Sequence, residues 1–220
     1  MEIPAEAFDD ILKELLRRPL PVNLFRKKVA DGHSNAFGLV NRRCLPCDYS
    51  RLCWNRPYLY KLLLDFAEKY VKIPWTSITV NENYRAGPHT DRNNFGDSFL
   101  VGFGSYTDGF LKLHTDPPQL IDIKYKPLVM DFTQTVHSVG DFMGNRYSLV
   151  FYNLWSYKIP ANIPPASVKE EDGKYVFYRG DERISDGLPH PLKGRKRDKK
   201  ENNSTTGLQI IQGPVVVSFN

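Results

Sequence analysis

"TSITVNENYRAGPHTD", residues 76–91, has an alternating pattern of apolar and polar side chains that is typical of a β-strand. Successive side chains of a β-strand point to opposite faces of its sheet. A strand over the first half of this stretch therefore has one apolar face, formed by Ile78 and Val80. Its other face carries the polar side chains of Thr79, Asn81 and Asn83. This pattern predicts a sheet that is covered on the outside and lines a polar cavity on the inside.

The region after residue 74 consists of short runs of β-branched and aromatic residues, separated by Gly, Pro and Asp. These runs predict strands over residues 76–83, 97–103, 108–114, 119–124, 127–132, 135–139 and 146–155. Strands at such short intervals are typical of an all-β sandwich or barrel. Residues 4–18 and 57–71 carry apolar side chains at helical spacing. We predict a mainly β fold with flanking helices, a double-stranded β-helix of the jelly-roll, cupin-like type.

The length of 220 residues suits a single domain. We divide it into a helical N-terminal support (residues 1–75), a jelly-roll core (76–155) and a C-terminal extension (156–220). Within the extension, residues 174–178 and 207–220 have the composition of further strands.

The composition and the cysteines indicate the compartment. No apolar run approaches the roughly 18 residues of a membrane span, and the first residues lack the features of a secretory signal. The three cysteines, Cys44, Cys47 and Cys53, are an odd number close together, which argues against a disulfide framework. We expect a soluble, intracellular monomer of the cytoplasm or nucleus with no membrane partner. A structural zinc at these cysteines with His33 is an alternative to ordinary thiols.

The tripeptide His-Thr-Asp occurs twice, at residues 89–91 and 114–116. The second copy follows a strand in which Leu111 and Leu113 share one face, so Lys112 and His114 point the other way. We predict that this copy lies on the surface. The first copy follows the strand with the polar face, and we predict that His89 and Asp91 are metal ligands.

A third ligand has to come from elsewhere, and His137 is the candidate, on a predicted strand of the same core. Two histidines and one carboxylate leave coordination positions open, which suits non-haem Fe(II). Three protein ligands with a free position suit catalytic Zn²⁺ as well.

Arg146 and Ser148 share the inner face of the last core strand, because Tyr147 and Leu149 alternate with them. An arginine inside a barrel is costly unless a fixed anion pairs with it. A dicarboxylic keto acid that chelates the metal would supply such an anion, and this favours iron over zinc.

The ordered set of His89, Asp91, His137, Arg146 and Ser148 resembles the signature of the Fe(II)/2-oxoglutarate-dependent dioxygenases. The resemblance covers residues 76–155. It implies Fe(II) on the two histidines and the aspartate, with 2-oxoglutarate as co-substrate. It also implies a reaction with O₂ in which a C–H bond is hydroxylated, assisted in assays by ascorbate.

The resemblance adds further contacts to 2-oxoglutarate. In the DNA-repair demethylases of this superfamily an Asn-x-Tyr segment touches the co-substrate, and Asn81 stands at the asparagine position. Asn83 stands at the tyrosine position, with Tyr84 next to it. Asn81 and Asn83 are therefore predicted co-substrate contacts.

A finer likeness is to the Tet and J-binding-protein branch, carried by His89, Asp91, Asn94, Ser98, Gly104 and Leu111. It implies DNA as the substrate, with oxidation of the methyl group of 5-methylcytosine or thymine, and Asn94 as a substrate contact.

A basic segment, residues 193–206, lies in the C-terminal extension. Its Lys193, Arg195, Lys196 and Arg197 predict contacts with DNA phosphates. Two alternatives keep the fold. One is a protein side-chain hydroxylase of the prolyl type, and the other is a non-catalytic nucleic-acid-binding jelly roll whose site residues form a buried hydrogen-bond network.

Overall fold

The computed structural model describes residues 2–21, 30–42, 44–156 and 159–184. Its helices are a 3₁₀ turn (Ala5–Phe8), α1 (Asp9–Arg17), α2 (Arg51–Asn55) and α3 (Pro57–Tyr70). Its strands are β1 (Ala30–Arg42), β2 (Leu45–Tyr49), β3 (Ser77–Ala86), β4 (Asn94–Asp108), β5 (Leu111–Leu113), β6 (Gln119–Ile121), β7 (Leu128–Met130), β8 (His137–Val139), β9 (Phe142–Leu154), β10 (Ala166–Glu171), β11 (Lys174–Arg179) and β12 (Glu182–Ile184).

The chain winds between two facing sheets. The large sheet is antiparallel, in the order β2-β1-β3-β9-β4-β7, and the small sheet has the order β6-β5-β8. From β3 onward the chain crosses repeatedly from one sheet to the other, with β5 and β6 adjacent in the small sheet. His89 adds a bridge to His137 at the edge of the small sheet. This winding between two sheets is a double-stranded β-helix, as predicted.

The helices cover the outer face of the large sheet. Ile78, Val80, Leu149 and Phe151 on that face are fully buried in one cluster with Leu63 of α3. Burial of an apolar side chain of this size contributes about 1.5–3 kcal/mol. The predicted division of the strands into an apolar outer face and a polar inner face is confirmed for β9, and for β3 as far as Asn81.

The N-terminal segment is not only helical, and the prediction for residues 1–75 was incomplete. β1 and β2 extend the large sheet beyond β3. Gly38 breaks the alternating pattern of β1. It adopts φ of 74°, a conformation that glycine reaches without the steric penalty of a Cβ atom. Because Phe37 and Leu39 flank this kink, the strand does not show a clean two-residue period.

The described part of the C-terminal extension forms a separate antiparallel sheet, β10-β11-β12. The strand predicted over residues 174–178 is confirmed as β11. Phe177 is 1% exposed and contacts the rings of Tyr49, Trp54 and Tyr60, so this sheet covers the helices. The basic segment 193–206 and the predicted C-terminal strands lie outside the described residues. None of the described helices is long and apolar enough to cross a membrane.

Candidate metal centre

A cavity of about 560 Å³ lies between the two sheets. Asn81 and Ser148 reach it from the large sheet, and Leu111 and Val139 from the small one. Its walls thus combine the inner faces of strands that are far apart in sequence. A volume of this size is ordinary for a small-molecule site.

His89, Asp91 and His137 line this cavity, and their ligand atoms all lie within 4.8 Å of one another. The main chain fixes the three positions. The amide of His89 donates to the carbonyl of His137 at 3.0 Å, and the amide of His137 donates back at 2.9 Å. The amide of Asp91 donates to the carbonyl of Phe132 at 2.9 Å. The three predicted ligands therefore meet at one point.

The two imidazoles are oriented for metal binding. Nδ1 of His89 lies 2.8 Å from the carbonyl of Gly87, and Nδ1 of His137 lies 3.0 Å from the carbonyl of Thr135. A ring whose Nδ1–H donates to a carbonyl presents the lone pair of Nε2 to a metal. Burial lowers the pKa of His137, which keeps this ring neutral, as metal ligation requires.

Arg146 lies in the same cavity, and its buried cation would be stabilised by an anion. The residue is 2% exposed, and its Nε is buried without a hydrogen-bond partner. Burial lowers the pKa of its guanidinium, and no carboxylate of the described part of the chain counters this effect. A buried cation of this kind is destabilising until an anion pairs with it.

Ser148 and Asn81 lie beside Arg146 on the floor of the cavity. They are cross-strand partners, and Nδ2 of Asn81 donates to Oγ of Ser148 at 3.1 Å. Oδ1 of Asn81 is buried with no partner. Together with Arg146, these groups form a polar patch on the cavity wall.

Tyr106 is a further polar group beside Arg146, and the sequence patterns did not reveal it. Its hydroxyl is buried without a hydrogen-bond partner, and its ring lies 5.5 Å from the Arg146 guanidinium. Burial raises the pKa of this phenol to about 12, so the group is a neutral donor near pH 7. Strand parity could have found it, because Tyr106 shares its face of β4 with Gly102 and Gly104.

The prediction that Asn83 shares the inner face with Asn81 is wrong. A bulge lies where β1 and β3 pair, since Asp31 faces Arg85 but His33 faces Glu82. Asn83 adopts φ of 50° there, and its Oδ1 accepts from the main-chain N–H of Arg146 at 2.8 Å.

The bulge changes which side chains face the cavity, because one extra residue resets the alternation of the strand. Tyr84 consequently lines the cavity and is 8% exposed. This tyrosine, and not Asn83, stands beside Asn81 on the inner face.

The second His-Thr-Asp copy lies on the surface, as predicted. His114 is exposed and its Nε2 lies 2.9 Å from Oγ of Ser138. Among the described residues, the cluster of His89, Asp91 and His137 is the one group of histidine, cysteine and acidic side chains placed to hold a metal ion.

The cysteines act as separate thiols. Cys44 is exposed, whereas Cys47 and Cys53 are buried. Cys47 donates to Oδ1 of Asn41, and Cys53 accepts from the amide of Gly38. The alternative of a structural zinc at these residues has no support in the described part of the chain.

Comparison with known proteins yields structural likeness only. No protein-family model and no curated protein matches the chain. NgTET1 in complex with 5mC DNA is similar at 16% identity and a TM-score of 0.48, over 71% of this chain and 70% of that one.

Two further structures are similar to a comparable extent. A 2OG-Fe(II) oxygenase family oxidoreductase from Burkholderia pseudomallei has 18% identity and a TM-score of 0.47, over 68% of this chain and 81% of that one. A Pseudomonas putida prolyl-4-hydroxylase has 14% identity and a TM-score of 0.44, over 70% and 89%. Likeness at this level concerns the fold alone.

Proposed function

We propose that this protein is an Fe(II)- and 2-oxoglutarate-dependent dioxygenase that hydroxylates a C–H bond. One observation carries the proposal. The His89, Asp91 and His137 cluster and the buried, unpaired Arg146 open into the same cavity. A metal with open positions and a fixed cation nearby suit a co-substrate with a keto acid at one end and a carboxylate at the other.

The residues present fit these two groups. Nε2 of His89, Nε2 of His137 and a carboxylate oxygen of Asp91 would hold Fe(II), whose chemistry when bound is the activation of O₂ by oxidation of 2-oxoglutarate. Arg146 would hold the far carboxylate of 2-oxoglutarate, with Ser148 as a second donor. Asn81 orients the Ser148 hydroxyl through the hydrogen bond of 3.1 Å.

Apolar side chains form part of the cavity wall. Leu100, Leu111 and Val150 line the cavity together with the three candidate metal ligands. Apolar walls lower the local dielectric, which strengthens the pairing of Arg146 with a carboxylate. They also restrict competing reactions with water once the cavity is filled.

We infer that the substrate is the methyl group of 5-methylcytosine or thymine in DNA. The cavity volume leaves room for a base beside the co-substrate, and a base in a duplex has to be extruded to reach such a site. The order of His89, Asp91, Asn94 and Ser98 along the chain supports this substrate, as does the basic segment that includes Lys193, Arg195, Lys196 and Arg197.

The test is incubation with Fe(II), 2-oxoglutarate, ascorbate and DNA that contains 5-methylcytosine, followed by mass spectrometry of the nucleosides and assay of succinate. Hydroxymethylcytosine with equivalent succinate is the expected result. Succinate with unchanged nucleosides would keep the dioxygenase and reject this base. Absence of both products in folded, iron-loaded protein would contradict the proposed reaction.

A further inference from the structure

The two carboxylate oxygens of Asp91 have different neighbours, because one faces His89 and the other faces Asn94. Oδ1 lies 3.5 Å from Nε2 of His89. Oδ2 lies 3.3 Å from Nδ2 of Asn94. The side chain of Asn94 therefore touches the oxygen that does not face the histidine.

Asn94 is itself held from two sides. Its main-chain N–H donates to the carbonyl of Asp91 at 3.0 Å, and its position pairs with Leu154 in the large sheet. Its Nδ2 also lies 3.4 Å from Oγ of Ser98, a residue that is 0% exposed. The amide is thus fixed relative to both the turn that carries Asp91 and the sheet.

The hydrogen-bonding capacity of Asn94 limits what else it does. A side-chain amide has two N–H donors and one carbonyl acceptor. The two donors have two partners, Oδ2 of Asp91 and Oγ of Ser98. Only Oδ1 remains to accept a hydrogen bond from a substrate. The expected substrate contact therefore does not explain the two hydrogen bonds that Nδ2 makes within the protein.

We propose that Asn94, supported by Ser98, is a positioning residue that fixes the Asp91 carboxylate for metal binding. A carboxylate on an otherwise free torsion loses entropy when it ligates, and an outer hydrogen bond removes part of that cost in advance. This inference rests on the proposed function, because it requires a metal at His89, Asp91 and His137.

The test is titration of the metal-free protein with Co(II) alone, followed by visible absorption. Loss of an outer hydrogen bond to a metal ligand typically weakens metal affinity about 10–100-fold. Asn94→Ala should bind Co(II) more weakly by a factor in this range. Its Co(II) spectrum should also change, because the Asp91 carboxylate is then free to rotate. Ser98→Ala should show a smaller loss in the same direction.

His114→Ala is the matched control, since its histidine belongs to the surface copy of the same tripeptide and should leave Co(II) binding unchanged. Melting temperatures of the metal-free variants separate loss of the site from loss of the fold. Unchanged Co(II) affinity and spectrum in folded Asn94→Ala would overturn the inference, most clearly if its KM for DNA were raised. Absence of Co(II) binding in the unsubstituted protein would instead overturn the metal centre, and the inference with it.

Discussion

His89 and His114 head identical tripeptides but have different surroundings. His89 lies in the cavity with Asp91 and His137, and His114 lies on the outside of the small sheet. Strand alternation alone separates them in sequence, because Leu111 and Leu113 have to face the core. Their burial at 2% and 3% confirms that prediction.

Replacing His89 by Ala should abolish iron-dependent formation of succinate, because two protein ligands remain where three are needed. Replacing His114 by Ala should retain most of it. Succinate assays at saturating Fe(II) and 2-oxoglutarate measure both variants. Full activity of His89→Ala would show that the metal is held elsewhere.

The alternation of side chains along β3 does not predict that Tyr84 faces the cavity, because a bulge precedes this residue. A bulge depends on the partner strand, and here the partner is β1, which the sequence pattern did not reveal. Gly32 makes the bulge possible, since a Cβ on this residue would lie 2.1 Å from the carbonyl oxygen of Asn83. Sequence reasoning therefore finds residues on regular strands and misses those that follow an irregularity.

Tyr84→Phe tests whether the bulge brings a functional hydroxyl to the co-substrate. A single hydrogen bond contributes about 0.5–1.5 kcal/mol, so the Kd of 2-oxoglutarate should rise about 2- to 13-fold. Calorimetric titration with 2-oxoglutarate in the presence of Mn(II) and absence of O₂ measures this change. An unchanged Kd would show that the Tyr84 hydroxyl does not bind 2-oxoglutarate and that the residue only lines the cavity.

Arg146→Met should separate the stability of the protein from its affinity for the co-substrate. Removing one partner of a buried, hydrogen-bonded charge pair costs about 2–5 kcal/mol, so the Kd of 2-oxoglutarate should rise at least about 30-fold. The metal-free protein should be as stable as before or more so, because an unpaired buried cation is replaced by an apolar group.

Thermal unfolding with and without 2-oxoglutarate, in the presence of Mn(II), measures both the stability of the variant and its response to the co-substrate. The unsubstituted protein should gain melting temperature on addition of the co-substrate, and the variant should not. An equal gain in Arg146→Met would show that the carboxylate binds elsewhere.

At the scale of elements, the helices and most core strands follow from periodicity. The 3₁₀ turn and α1 together match the predicted helix of residues 4–18, and α3 matches that of 57–71. β1 was missed because kinks at Gly32 and Gly38 interrupt its pattern. β2 was missed because it is only five residues long and contains Pro46. Pairing between strands far apart in sequence, such as β3 with β9, is a property of the folded chain that no local pattern contains.

Leu63→Ala on α3 tests the claim that the helices seal the outer face of the large sheet. Leu63 is 0% exposed in the main core. Truncation of a buried leucine to alanine leaves a cavity and typically lowers the free energy of unfolding by about 2–5 kcal/mol. Leu16→Ala on α1 is the control, because Leu16 is 60% exposed and surface changes usually stay within about 0.5 kcal/mol. Urea denaturation measures both, and equal effects would contradict this packing.

At the scale of the whole molecule, the fold places three candidate metal ligands and the Arg146 guanidinium in one cavity. His89 and Asp91 follow the third strand, His137 opens the eighth, and Arg146 lies on the ninth. Only the winding of the chain between two sheets brings them together. The order of these residues in the sequence predicted the set. The contact of the Tyr106 ring with Arg146 and the hydrogen bond from Asn94 to Asp91 required the structure.

The net charge of +5 suits a polyanionic substrate. The basic segment that would contact DNA lies outside the described residues, so its role stays a prediction. The metal centre and the Arg146 pocket, by contrast, depend only on described contacts.

The absorption spectrum of the protein with Fe(II) and 2-oxoglutarate under anaerobic conditions tests directly whether both bind in this cavity. A keto acid that chelates iron in this cavity should give a weak visible charge-transfer band that requires both additions. The band should be lost in His89→Ala and kept in His114→Ala. Absence of the band in well-folded, unsubstituted protein would contradict the proposed binding of iron and 2-oxoglutarate in the cavity.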